Sequence, residues 1–402
     1  MKRMKLAILG GSSPFTAALI DAMLESVEAI GIGELVLYGR NVRNLEIVGR
    51  YAQRVLGPCG WTCRQTNCIG VALDGADYVV HQIRYGGLAL RAEGERFCHA
   101  LHLAADETLG PAALITALQM ISGLRSTVSS IQRYCPHAWN LNLTNPLSSV
   151  TAVMCHWGLT RCVGICELPQ VTLEMVAKRC QADVAAVTWN YAGLNHRGFL
   201  YAIRRGSRDL VEEFAEWLDH QGIPEISADV IRELQAVPLK YFSLVTDPTT
   251  VPPHRAEFLA HLREKILCEL SDAPHHSPSS LTMRYLEWYP RAVVPMIAAL
   301  QTDESSVQVV NVLDSGGVVL EGKAEVSSRK IELLRRPSLS VAAQAWLDRF
   351  ERHERSFVRT MLAPTERSIR ETISFDPVVP ASRVTEVTRK LCGTIYELPV
   401  SA

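Results

Sequence analysis

Leu6-Ala7-Ile8-Leu9-Gly10-Gly11-Ser12-Ser13 is a short apolar run that ends in two glycines and two serines. Behind it, Thr16-Ala17-Ala18-Leu19-Ile20 and Met23-Leu24 recur at helical spacing, so the stretch reads as strand, glycine-rich turn and helix. Backbone amides at a helix N-terminus bind a pyrophosphate when small residues let it approach. The turn therefore marks Gly10, Gly11, Ser12, Ser13, Phe15 and Thr16 as candidate nucleotide-binding residues. No third glycine closes the usual fingerprint, which leaves a plain strand-to-helix connection open on this motif alone.

Beyond this stretch, Glu34–Tyr38 reads as a second strand and Val42–Leu56 as a second helix. Ala76–Ile83 and Trp139–Leu143 read as further buried strands, the latter ending in Thr144-Asn145-Pro146. Strands alternating with helices predict an α/β fold with a Rossmann-like, doubly wound parallel sheet over residues 1–170. A dinucleotide site usually has Asp or Glu at the end of the second strand, for the ribose hydroxyls. Here the strand ends in Leu37-Tyr38-Gly39-Arg40, and Arg40 would accept a 2′-phosphate, so NADP stays open beside NAD.

The rhythm changes after Pro169. Val187–Tyr191 and Gly198–Ile203 flank Gly193-Leu194-Asn195-His196 as antiparallel strands, followed by helices over Leu210–Leu218 and Ser227–Leu234. Thr246–Arg255 and Pro274–Ser280 read as loops, Val307–Leu313 and Gly317–Val326 as a hairpin, and Val341–Met361 and Ala381–Leu391 as helices. Residues 171–402 are thus expected to form a C-terminal α+β substrate domain.

Charge is nearly balanced, 41 Lys+Arg against 42 Asp+Glu, which gives no electrostatic footprint for nucleic acid. No segment has the roughly eighteen uninterrupted apolar residues of a membrane helix. The 11 cysteines are odd in number and include no C-x-x-C pair, which suggests free thiols in a reducing compartment; a cytoplasmic location is expected.

Several stretches, in order along nearly the whole chain, resemble glycoside hydrolase family 4. They are Gly10 to Thr16, Ile83-Arg84-Tyr85-Gly86-Gly87 with Arg91, Asp106-Glu107-Thr108-Leu109-Gly110, Thr144-Asn145-Pro146, Gly164-Ile165-Cys166, Gly193 to His196, Leu239-Lys240-Tyr241-Phe242 and Asp376-Pro377-Val378-Val379. The resemblance implies a lactate/malate-dehydrogenase-like fold, NAD and a divalent ion such as Mn²⁺, with Cys166 and His196 as metal ligands. It further implies a glycosidase that oxidises the sugar at C3, removes the C2 proton, eliminates the aglycone, adds water and reduces C3 again, the NAD-dependent exception to two-carboxylate hydrolysis.

In this scheme Tyr241 matches the base, Asn145 lies where the family binds cofactor and substrate hydroxyls, and Asn195 joins the substrate residues. Tyrosine is a poor base at its free pKa of about 10, so a neighbouring cation has to lower it. Glu167 stands where relatives have Asp or Asn; its carboxyl can donate a proton, with the extra methylene displacing it. Arg91, in an Arg91-Ala92-Glu93-Gly94-Glu95 turn, and Arg284 fall near the family's anion-binding arginines, which implies an anionic C6 group: phosphate, carboxylate or sulfonate. Tyr285 and Leu286 replace glycines of the family pattern beside Arg284 and make that wall bulkier. The expected partner is a small glycoside, with assembly as a homodimer or homotetramer. An NAD(P)-dependent dehydrogenase of a sugar or hydroxy acid and a non-enzymatic nucleotide-binding regulator are the alternatives.

Overall fold

Leu6, Ala7, Ile8 and Leu9 are all fully buried, because their strand has a neighbour on each edge and helices over both faces. The computed structural model describes residues 4–221, 226–246 and 254–397. Side chains alternate across a strand, so Leu6 and Ile8 join one core with Leu35, Leu37, Val80 and Ile297, while Ala7 and Leu9 join another with Val79, Leu124, Val150 and Phe357. At about 1.5–3 kcal/mol for each large apolar side chain buried, two such faces hold the strand in one register.

The first six strands are β1 (Met4–Leu9), β2 (Ile32–Tyr38), β3 (Thr62–Thr66), β4 (Tyr78–His81), β5 (Trp139–Asn142) and β6 (Cys162–Gly164). They lie parallel in the order β3-β2-β1-β4-β5-β6, the doubly wound arrangement that the sequence predicts. In such sheets ligands bind beyond the carboxyl ends of the strands where the order reverses, here between β1 and β4.

The remaining strands are β7 (Thr188–Leu194), β8 (Arg197–Arg205), β9 (Arg208–Asp209), β10 (Ala236–Pro238), β11 (Ser306–Leu313), β12 (Val319–Val326) and β13 (Ile331–Leu333). The expected late hairpin is present as β11 and β12, and it bridges the two halves. β11 pairs antiparallel with β6 through Asn311 and Gly164, and β12 pairs with β7 through Glu321 and Gly193. Among the described residues one 13-stranded sheet thus joins the two halves.

The helices Leu210–Gln221, Ala228–Leu234, Val341–Leu362 and Val384–Glu397 cover the expected helical stretches. Of the loop expected at Thr246–Arg255, residues 247–253 lie outside the described residues, while Arg255 opens the helix Arg255–Asp272. The stretch Arg91–Glu95 is not a turn: it lies inside the helix Gly87–Ala100, whose apolar positions Leu90 and Cys98 are buried. Among the described residues no helix is long and apolar enough to cross a membrane.

Candidate active site

The sheet delivers its chemistry at strand ends. β6 stops at Gly164, and Cys166 and Glu167 follow it after Ile165; Glu167 is the residue before the helix Leu168–Arg179, which has proline in its first turn. β7 and β8 are joined by the two residues Asn195 and His196 alone, with His196 at φ 65°. Gly198 makes this connection possible, since a Cβ there would lie 2.1 Å from the Tyr191 hydroxyl oxygen.

Tyr241 sits in the short turn Lys240–Phe242. Phe242 anchors the turn edge-on against Phe199 and Trp346, at ring-centre distances of 6.0 and 5.1 Å. Held this way, the Tyr241 ring stacks flat on the His196 imidazole, 4.2 Å between centres and 4° between planes. The other face of the histidine's hydrogen bonding is also defined, because its Nδ1 lies 2.8 Å from the Thr108 hydroxyl.

Cys166, Glu167, His196, Lys240 and Tyr241 line one cavity of about 690 Å³, whose far wall is the glycine turn. Gly10 there has φ 98°, and a Cβ would stand 2.9 Å from the Gln82 carbonyl oxygen, so the turn presses against the end of β4 as only glycine permits. Gln82 Nε2 also donates to Thr16 Oγ1 at 2.9 Å. Gly10, Ser12, Ser13, Phe15, Arg40 and Asn145 all face this cavity, as do Arg91 and Arg284.

Electrostatically the floor is acidic and the wall basic. Burial raises the Cys166 thiol well above its ordinary pKa, and the Glu167 and Glu321 charges add to this. Burial likewise raises Glu167, against a backbone amide and the Lys240 ammonium that favour its anion. Tyr241 is raised by burial and then by Asp106, Glu107, Cys166 and Glu167. Lys240 Nζ is the cation beside it, 5.4 Å from the ring centre, yet the phenol stays raised by burial and its acidic neighbours. Burial, helped by Lys240, pushes His196 down to about 3, so its imidazole is neutral at pH 7.

On the basic side, Arg91 is already engaged, 2.8 Å from Glu95 and 2.6 Å from Glu107. Arg84 also pairs with Glu107. Burial alone would raise Glu107, yet these two guanidiniums hold it well below the usual carboxylate range. Arg284 is different: its guanidinium lies over the Phe15 ring at 4.3 Å and the Trp288 ring at 5.1 Å. Burial and the neighbouring Arg84 push it down to about 10, and no carboxylate within ion-pair distance neutralises it among the described residues. A half-buried guanidinium in that state is suited to receive an anion.

Three expected site residues stand behind the wall. Gly11 packs on Leu37, and Thr16 is fully buried, bonded to Gln82; they build the nucleotide turn without facing the cavity. Asn195 is fully buried too, which moves it from the substrate wall to the back of Cys166. Neither polar atom of its amide makes a well-formed hydrogen bond, yet it lies near enough to the Cys166 thiol and the Glu321 carboxylate to favour their ionised forms.

Other residues emerge only in three dimensions. Glu321, pushed up to about 7 by burial, accepts from the Tyr191 hydroxyl at 2.5 Å and from Asn311 Nδ2 at 2.7 Å, directly behind the Cys166 floor. The hairpin pattern of Val307–Val326 gives no signal of this network. Arg84, Asp106, Glu107 and Arg255 also face the cavity; apart from Arg255, they lie in stretches of the family pattern to which the sequence assigns no role.

The family 4 glycosyl hydrolase profile matches residues 5–182, and the profile of the family's C-terminal domain matches residues 191–379. The chain belongs to family 4 of the glycosyl hydrolases. A probable 6-phospho-beta-glucosidase of Bacillus subtilis is 26% identical over 95% of this chain and 94% of that protein. The solved 6-phospho-beta-glucosidase of Thermotoga maritima, with manganese, NAD⁺ and glucose-6-phosphate, superposes at a TM-score of 0.86, with 21% identity over 98% of this chain and 99% of that one. A malate dehydrogenase of Cryptosporidium parvum superposes at 0.58, with 13% identity over 90% and 99% of the two chains, which is the dehydrogenase-like fold expected. Family membership removes the dehydrogenase and regulator readings in favour of a glycoside hydrolase.

Proposed function

We propose that this chain hydrolyses 6-phosphoglycosides with NAD and Mn²⁺ bound in the 690 Å³ cavity. The observation that carries this reading is the meeting, in that one cavity, of the glycine turn, a Cys–His pair, a tyrosine stacked on the histidine and a half-buried arginine with no ion-pair partner among the described residues. The relatives' names and ligands support the phosphate, the nicotinamide and the metal.

The residues present fit both groups. Among the described residues no group of three or more His, Cys, Asp or Glu is arranged around a metal position, so Cys166 and His196 are two donors that leave room for substrate oxygens. A buried thiol beside Glu167, with an amide poised to favour its anion, is the donor that a divalent ion would ionise. The turn at Gly10–Ser13 and Arg40 would hold the dinucleotide, with Asn145 between cofactor and sugar. When bound, the two groups would supply a hydride acceptor for C3 and a Lewis acid for the adjacent oxygens.

The side chains do the rest. Tyr241 takes the C2 proton, its phenol held by the His196 stack. Glu167, kept protonated to higher pH by burial, gives a proton to the departing aglycone oxygen. Arg284, with Arg84 beside it, receives the sugar phosphate; Arg91 orders Glu107 and is secondary in that contact. Phosphate is preferred to carboxylate or sulfonate on the relatives' substrates. In the same reading residues 1–170 serve the nucleotide and 171–402 the sugar, within one continuous sheet. Cytoplasmic location suits the eleven free cysteines, and assembly as a homodimer or homotetramer belongs to the same proposal.

The test is a panel of α- and β-p-nitrophenyl glycosides, neutral, 6-phospho, uronic and sulfonated, with and without NAD and Mn²⁺. Turnover of the 6-phospho compounds alone, and only with both additions, is expected. Turnover unchanged when both are removed overturns the proposal.

A further inference from the structure

The stretches Asp106–Gly110 and Asp376–Val379 match the family pattern, yet the reaction as derived gives neither a task. They meet in space. Asp376 Oδ2 accepts from the Gly110 amide at 2.8 Å, and its Oδ1 accepts from the Val378 amide at 3.0 Å. Gly110 is the residue before the helix Pro111–Tyr134, so a carboxylate from the far end of the chain caps that helix where its amides are unpaired. At the other end of the loop, Asp106 Oδ1 accepts from the Thr108 amide at 2.7 Å and the Leu109 amide at 3.3 Å. Thr108 is held from both sides, is 2% exposed, and directs its hydroxyl to His196 Nδ1 at 2.8 Å.

We propose that Thr108 is the positioning residue of His196: by accepting a hydrogen bond from Nδ1–H, it fixes the tautomer whose free lone pair is on Nε2 and turns that nitrogen to the ion. A neutral imidazole has one donor and one acceptor nitrogen, so the partner of one decides what the other can do. Were the hydroxyl to donate instead, Nε2 would carry the proton and could not ligate. The Tyr241 stack fixes the ring plane, and the Thr108 bond fixes rotation within that plane. A rigid acceptor behind a ligating histidine is the outer-shell arrangement whose loss weakens metal binding about 10–100-fold. The loop's double anchoring by Asp106 and Asp376 is what makes this hydroxyl rigid.

This inference rests on the proposed Cys166–His196 site, and the experiment separates the two. Mn²⁺ binding to the substrate-free protein is titrated by the EPR signal of free Mn²⁺ in wild type, Thr108→Val, Thr108→Ser and His196→Ala, with NAD affinity measured on each. Thr108→Val keeps the shape and loses the acceptor. It should bind Mn²⁺ about 10–100-fold more weakly, Thr108→Ser should recover most of that loss, and NAD affinity should stay as in wild type. Wild-type Mn²⁺ affinity in Thr108→Val, with His196→Ala defective, overturns the role of Thr108 and leaves the site standing. Equal weakening in Thr108→Ser and Thr108→Val also overturns it, because the hydroxyl would then not be the cause. Wild-type affinity in His196→Ala removes the site itself, and the inference with it.

Discussion

Replacing Tyr241 by Phe should lower kcat by about 10²–10⁴-fold, the range for losing a general base, while the protein stays folded and binds NAD as before. The expectation of an intact fold comes from the packing. Phe242, not Tyr241, anchors the turn on Phe199 and Trp346, and phenylalanine keeps the ring that stacks on His196 at 4.2 Å. Only the phenol oxygen is lost. That oxygen sits among Asp106, Glu107, Cys166 and Glu167, which with burial raise its pKa well above the ordinary value. The tyrosine becomes a competent base only when those negative charges are offset, so its basicity is tied to a loaded site. Steady-state kinetics on a 6-phosphoglycoside check this; unchanged kcat in Tyr241→Phe would remove the tyrosine from the proton transfer.

The largest stability effect is expected from Glu354→Ala. Glu354 and Arg197 form an ion pair in which both side chains are buried, with Ser149 Oγ donating to the carboxylate at 2.6 Å and Arg197 Nη2 donating to Ser148 Oγ at 3.2 Å. Arg197 is the residue after His196, so this pair ties the β7–β8 connection to the helix Val341–Leu362. Removing one partner leaves a buried, uncompensated charge, which costs about 3–5 kcal/mol. Chemical denaturation should show that loss in Glu354→Ala; a midpoint equal to wild type would mean that Arg197 finds another partner.

Burial alone would raise the Glu354 pKa, but the Arg197 charge and the Ser149 bond over-compensate and lower it in the fold. A carboxyl lowered by folding stabilises the native state above its unfolded pKa of about 4.3 and loses that contribution as pH falls through the folded value. Acid unfolding of the wild type should therefore be steeper below about pH 4.3 than that of Glu354→Ala.

Much of this architecture is legible in the chain because it is local. The turn after Leu9, the strand end before Cys166 and the tight link at His196 all announce themselves by small residues at changes of period. The pairing of β11 with β6 and of β12 with β7 is not local: nothing in Val307–Val326 says between which strands a hairpin will lie. Glu321 and Asn311 were invisible for that reason, since their burial depends on those partners. Asn195 illustrates a finer failure. In a two-residue connection neighbouring side chains point apart, so the residue beside a cavity-facing histidine turns inward, and adjacency in sequence suggested a shared role. Thr108 belongs to the same class, because a hydroxyl in a loop has no periodicity; only its 2.8 Å contact with His196 reveals it.

The central claim is that the glycosidic bond is broken by elimination after removal of the C2 proton, not by direct displacement at C1. Hydrolysis of a 6-phosphoglycoside in D₂O, with NAD and Mn²⁺ present, tests it most directly through NMR of the released sugar phosphate. Deuterium at C2 of the product is the predicted result, since a proton taken by Tyr241 exchanges with solvent before water adds. Product carrying only protium at C2, formed at the full rate, would contradict the account.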